Sequence, residues 1–99
     1  MPGERLLVID DSKEACEFLE DYLGHQGYTV LTARDGEEGL NRALNESPDL
    51  ILVDMRMPAL TGLEVIKALN EQGRDIPIIF LTGHGSEDLA VRAFRFISA

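Results

Sequence analysis

The chain has 99 residues, 44% apolar and 27% charged, with 18 Asp and Glu against 9 Lys and Arg and a net charge of −9. That length and balance describe one globular domain over residues 1–99, and the acidity argues against bare nucleic acid or an anionic membrane as partner and for a divalent cation or a basic protein. The single cysteine, Cys16, excludes an internal disulfide and suits a reducing cytoplasm; no apolar run approaches the ~20 residues that span a bilayer.

Short β-rich runs alternate with stretches of helical spacing. The first run, Leu6–Ile9, leads to a helix in which Ala15, Phe18, Leu19, Tyr22 and Leu23 share one face. Asp11 or Ser12 can cap that helix, with Glu14 in capping-box relation to Asp11, and Gly24 or Gly27 can end it. A second strand is expected at Tyr28–Thr32. The second helix spans Gly36–Glu46, with Asp35 as N-cap, Leu40, Ala43 and Leu44 as its apolar face, and Ser47-Pro48 as its stop. Gly39 inside it costs roughly 1 kcal/mol relative to Ala. The third strand is Leu50–Val53, and the third helix begins near Gly62 with Leu63, Ile66 and Leu69. The fourth strand is Ile76–Leu81, and a fourth helix begins near Ser86 with Leu89, Ala90, Ala93 and Phe94. The strands read as continuous rather than alternating apolar runs, so both faces are covered, as in a parallel sheet. The order βαβαβαβα with short connections predicts a doubly wound α/β sheet with right-handed crossovers.

All strand C-termini of such a sheet lie along one edge. Here that edge receives Asp10 and Asp11 from the first strand, Asp54 from the third, and Thr82 from the fourth. Each has an ordinary reading alone: Asp10-Asp11 as a helix cap, Asp54 as a turn residue before Pro58, Thr82 as a capping or core hydroxyl. Together they place three carboxylates and a hydroxyl in one cluster. Close carboxylates repel one another, and a hard divalent ion such as Mg²⁺ offsets that repulsion through oxygen ligands while still accepting a phosphate oxygen. Cys16 reads as a packed neutral residue and His25 as a solvated residue at a helix end.

The segments "LLVIDDS" (6–12), "GYTVLTARDGEEGL" (27–40), "PDLILVDMRMPALTGLEVI" (48–66) and "IPIIFLTGHG" (76–85) match in order and spacing a known pattern. The chain resembles the receiver domain of bacterial two-component response regulators from about residue 5 to about residue 95. The resemblance implies a flavodoxin-like fold, Asp54 as phosphoacceptor, and Asp10 and Asp11 as the acidic pair that positions Mg²⁺. It implies Asp54 and the backbone carbonyl of Arg56 as the remaining protein ligands of that ion, and Thr82 as the hydroxyl that contacts the phosphoryl group and moves with it. Arg56 and His84 fall at variable positions that tune reaction rates; Thr61 stands where an acid, Asn or Ser is commoner. The implied partner is a sensor histidine kinase or phosphotransferase, with the first helix as the docking element. The acidic run Glu14, Glu17, Glu20 and Asp21 on that helix is either a solvated face or a match for a basic partner surface.

The resemblance also implies a fifth strand ending in Lys-Pro and a fifth helix. The 99 residues carry neither, and by motif spacing the lysine falls roughly five residues past Ala99. Lys67, in the third helix, is a poor substitute. The expected strand order is therefore 2-1-3-4, with "IPIIFL" as an edge strand and apolar sheet uncovered beside the first helix. Self-association into a dimer or oligomer is expected, with "FRFISA" either extending the fourth helix or adding a strand to a neighbour.

Three readings of function result. The first is a phosphoacceptor in a two-component relay, modified on Asp54. The second is a degenerate receiver that serves as an interaction module with weak or no phosphorylation. The third is a Mg²⁺-dependent phosphohydrolase; such enzymes carry a second acid two residues after the nucleophile, where this chain has Arg56.

Overall fold

The computed structural model of the chain describes residues 3–54 and 62–81. In chain order the elements are β1 (Arg5–Ile9), α1 (Lys13–His25), β2 (Thr29–Ala33), α2 (Gly36–Glu46), β3 (Leu50–Asp54), α3 (Gly62–Glu71) and β4 (Ile78–Leu81). The four strands form one parallel sheet in the order β2-β1-β3-β4. This is the predicted doubly wound α/β arrangement with strand order 2-1-3-4. The fourth helix expected from Ser86 lies outside the described residues.

Each strand alternates between two apolar layers, as a pleated strand must. Leu7 and Ile9 of β1, Ile51 and Val53 of β3, and Ile78 and Phe80 of β4 pack with Ala43 of α2 and with Val65 and Leu69 of α3. Leu6, Val8, Leu52 and Leu81 form the opposite layer with Cys16 of α1, joined by the half-buried Leu19 and Leu23. The central strands are thus covered on both faces, which is why they read as unbroken apolar runs.

Several local details differ from expectation. Phe18 and Tyr22 do not face the core; they are 52% and 55% exposed and stack on one another with ring centroids 6.1 Å apart. Two apolar stripes run along α1, and the sheet takes the one made by Cys16, Leu19 and Leu23, leaving its neighbour to solvent. Strand β2 starts at Thr29 rather than Tyr28 because the Tyr28 N–H donates to the Leu23 carbonyl at the end of α1, at 3.2 Å. Strand β4 starts at Ile78 rather than Ile76. Pro77 has no N–H to give to the ladder, and its carbonyl accepts from Ile51 at 3.0 Å.

On the α1 side, an apolar cleft of about 560 Å³ lies between α1 and the sheet, lined in part by Leu6, Leu19, Leu23, Leu52 and Ile79. Among the described residues β4 is the outermost strand on its side of the sheet, and no described helix is long and apolar enough to cross a membrane.

Candidate functional site

Strands β1 and β3 are neighbours, with Ile9 opposite Val53. One residue further along each strand stand Asp10 and Asp54. Both continue the alternation of the layer that holds Val8 and Leu52, so pairing and pleat together bring the two carboxylates to one place. The Asp10 N–H extends the β1–β2 ladder by donating to the Ala33 carbonyl at 3.0 Å. Its carboxylate turns back, and Oδ1 accepts from the Ser12 N–H at 2.9 Å.

Ser12 is the N-cap of α1: its Oγ accepts from the Ala15 N–H at 3.1 Å. The expectation offered Asp11 or Ser12 for this role. With the hydroxyl satisfying the helix end, the exposed Asp11 side chain is not spent on capping. One carboxylate oxygen each from Asp10, Asp11 and Asp54 then lies within 4.8 Å of the others.

The Asp10 side chain carries the electrostatic strain of this arrangement. It is 7% exposed. Burial pushes its carboxyl above the ordinary carboxylate value; the Ser12 N–H opposes the shift, Asp54 and Asp11 add to it, and the Arg34 guanidinium opposes it. A buried acid flanked by two more is a donor set that fits a hard divalent cation, which would remove the repulsion while using oxygen ligands only.

Two supporting side chains carry no motif signal. The Cys16 thiol is buried and donates to the Asp10 carbonyl at 3.3 Å, with the Ala33 carbonyl at 3.9 Å. Burial and the neighbouring Asp10 push its pKa up to about 11, so it stays a neutral thiol, as expected. Arg34 reaches from the end of β2 to the Asp11 carbonyl, with Nε at 3.3 Å and Nη2 at 3.2 Å. Nothing in residue spacing reveals either bond, because each acceptor is a backbone carbonyl, and the Arg34 bond also crosses between two separate connections. The other expected site residues, Thr82 and Arg56, lie outside the described residues, as do Thr61 and His84.

An open parallel sheet with its acids gathered at the carboxyl ends of the two central strands defines the class of α/β domains that bind ligands at that edge. Within that class, the family model described as the response regulator receiver domain matches residues 6–97. The chain belongs to this family. It is 43% identical over 85 residues to the alkaline phosphatase synthesis transcriptional regulatory protein PhoP of Bacillus subtilis, covering 86% of this chain and 35% of that protein. It is also 43% identical over 82 residues to the response regulator MprA of a Mycobacterium species, covering 83% and 36%. The chain therefore spans about a third of the length of these curated relatives. Among solved structures, the chemotaxis protein CheY4 of Vibrio cholerae superposes with a TM-score of 0.78 at 36% identity, covering 86% of this chain and 72% of that one. The N-terminal domain of an uncharacterized protein from Wolinella succinogenes gives 0.78 at 28% identity, covering 91% and 78%.

Proposed function

We propose that this receiver domain accepts a phosphoryl group on Asp54, with a Mg²⁺ ion held by Asp10, Asp11 and Asp54. The observation that carries this reading is the approach of the three carboxylates to within 4.8 Å at the sheet edge. An oxygen of the Asp54 carboxylate attacks phosphorus, forming an O–P bond. The bond from phosphorus to the donor's imidazole nitrogen breaks, and its electron pair leaves with the imidazole, which takes up a proton. A Mg²⁺ ion held there would supply charge compensation during the transfer. Asp10 and Asp11 supply the negative charge that retains the cation, and the rigid ends of β1 and β3 supply its position. The product is an acyl phosphate, which is labile and suits a reversible signal.

Residues outside the described set complete the proposal: the Arg56 carbonyl as a further ligand and Thr82 as the hydroxyl that follows the phosphoryl group. The donor is a sensor histidine kinase or phosphotransferase in the cytoplasm. The same proposal treats the domain as a signalling element rather than a turnover enzyme. It includes self-association through the β4 side, which light scattering at micromolar concentration tests. The intact acid triplet favours the phosphoacceptor over the degenerate interaction module.

The test is incubation with acetyl phosphate and Mg²⁺ followed by intact mass measurement. The expected result is a gain of one phosphoryl group that hydroxylamine reverses and that both a chelator and Asp54→Ala abolish. No gain under donor excess would overturn the reading.

A further inference from the structure

Arg34 ties together two loops on which the acid site depends. Its own main chain is fixed at the entry to α2: the Arg34 N–H donates to Glu38 Oε1 at 3.0 Å, while the Glu38 N–H donates to Asp35 Oδ1 at 2.7 Å. From this base the side chain crosses to the β1–α1 loop. There Nε and Nη2 both donate to the carbonyl oxygen of Asp11.

That carbonyl belongs to the peptide joining Asp11 to Ser12. The N–H of the same peptide donates to Asp10 Oδ1 at 2.9 Å. A peptide unit is planar, so anchors on its oxygen and on its N–H fix its rotation. The rotation of this plane sets the direction in which Asp11 projects its carboxylate. Other described arginines serve different places: Arg5 donates to the Glu46 carbonyl and Arg74 to the Leu44 carbonyl, both near the C-terminal end of α2.

We propose that Arg34 is a positioning residue for the acid site: by clamping the Asp11–Ser12 peptide it holds the Asp11 carboxylate within ligand distance of Asp10 and Asp54. The proposal rests on reading the acid triplet as a divalent-cation site. The two-donor fork is what clamps. A lysine keeps the charge but presents a single nitrogen and cannot reproduce the paired contact.

The test compares wild type, Arg34→Ala and Arg34→Lys by backbone NMR. Without metal, ¹⁵N relaxation of the Asp11 and Ser12 amides should show lost order in Arg34→Ala, with the β-sheet amides unchanged. Titration with Mg²⁺ should show about tenfold weaker binding, the lower end of what residues behind a metal ligand contribute, and Arg34→Lys should recover only part of it. Unchanged order at Asp11 and Ser12 in Arg34→Ala would overturn the proposal. So would tighter Mg²⁺ binding in Arg34→Ala that returns to the wild-type value in high salt, since Arg34 would then act only as an opposing charge. If the wild-type chain binds no Mg²⁺, the cation reading fails instead, and the metal-free relaxation comparison still decides whether Arg34 orders the loop.

Discussion

Gly39 of α2 lies against Ile9 of β1 with no room for a methyl group: a Cβ at residue 39 would stand 2.5 Å from Ile9 Cδ1 and 2.8 Å from Cγ1. Ile9 is fully buried and cannot swing away, so the glycine sets how closely the second helix approaches the strand that delivers Asp10.

Gly39→Ala should therefore destabilise the protein. The better helix former contributes about 1 kcal/mol, but overpacking a filled core costs about 1–3 kcal/mol. A net loss is expected in urea denaturation, together with weaker Mg²⁺ binding as Ile9 shifts next to the site. A gain in stability would show that the helix can retreat from Ile9 freely.

Asp10 should limit stability in the absence of metal. Its carboxyl holds a proton more tightly folded than unfolded, because it is buried and faces Asp54 and Asp11. The folded state therefore binds more protons, and its stability falls as pH rises from the ordinary value of 3.8 through the raised one. Asp10→Asn removes that cost. In chelator at neutral pH the variant should be more stable by about 0.5–2 kcal/mol, the usual scale for relieving a functional site. The difference should vanish below the ordinary carboxylate value, where both proteins are uncharged at residue 10. Equal stability at both pH values would contradict the raised carboxyl.

Mg²⁺ should stabilise the wild-type fold, by about 2.7 kcal/mol at a hundredfold excess over its dissociation constant. Thermal unfolding with and without chelator measures this. Asp10→Asn and Asp54→Asn should each lose most of the shift, and an undiminished shift in either would remove that residue from the ligand set.

Cys16 should be inert while the chain is folded. Its thiol is buried, engaged with the Asp10 carbonyl, and titrates only near 11. Labelling by a thiol reagent at neutral pH should follow the rate of unfolding and accelerate in denaturant. Rapid labelling of the native protein would mean that the α1 layer opens beside the site.

Much of the fold is legible in the sequence because apolar runs and caps are local signals. The second helix was expected at Gly36–Glu46 and is found there, capped by Asp35 and ended by Ser47 in the left-handed region at φ 51. The approach of Asp10, Asp11 and Asp54 is legible because a parallel sheet collects strand ends, whatever their separation along the chain. The exposure of Phe18 and Tyr22 is not legible in the sequence, because the spacing allows two apolar stripes on α1 and only the sheet decides between them. Cys16 is legible as a packed neutral residue, but its bond to the Asp10 carbonyl is not, and the Arg34 bonds to the Asp11 carbonyl leave no trace either, because no side-chain pattern records a backbone acceptor.

The central claim is that Asp54 is the acceptor. After treatment with acetyl phosphate and Mg²⁺, reduction with borohydride converts a phosphorylated aspartate to homoserine, and peptide mapping locates the converted residue. The account predicts homoserine at residue 54 and at neither Asp10 nor Asp11. Conversion at another aspartate, or none in a protein shown to carry the phosphoryl group, would contradict it.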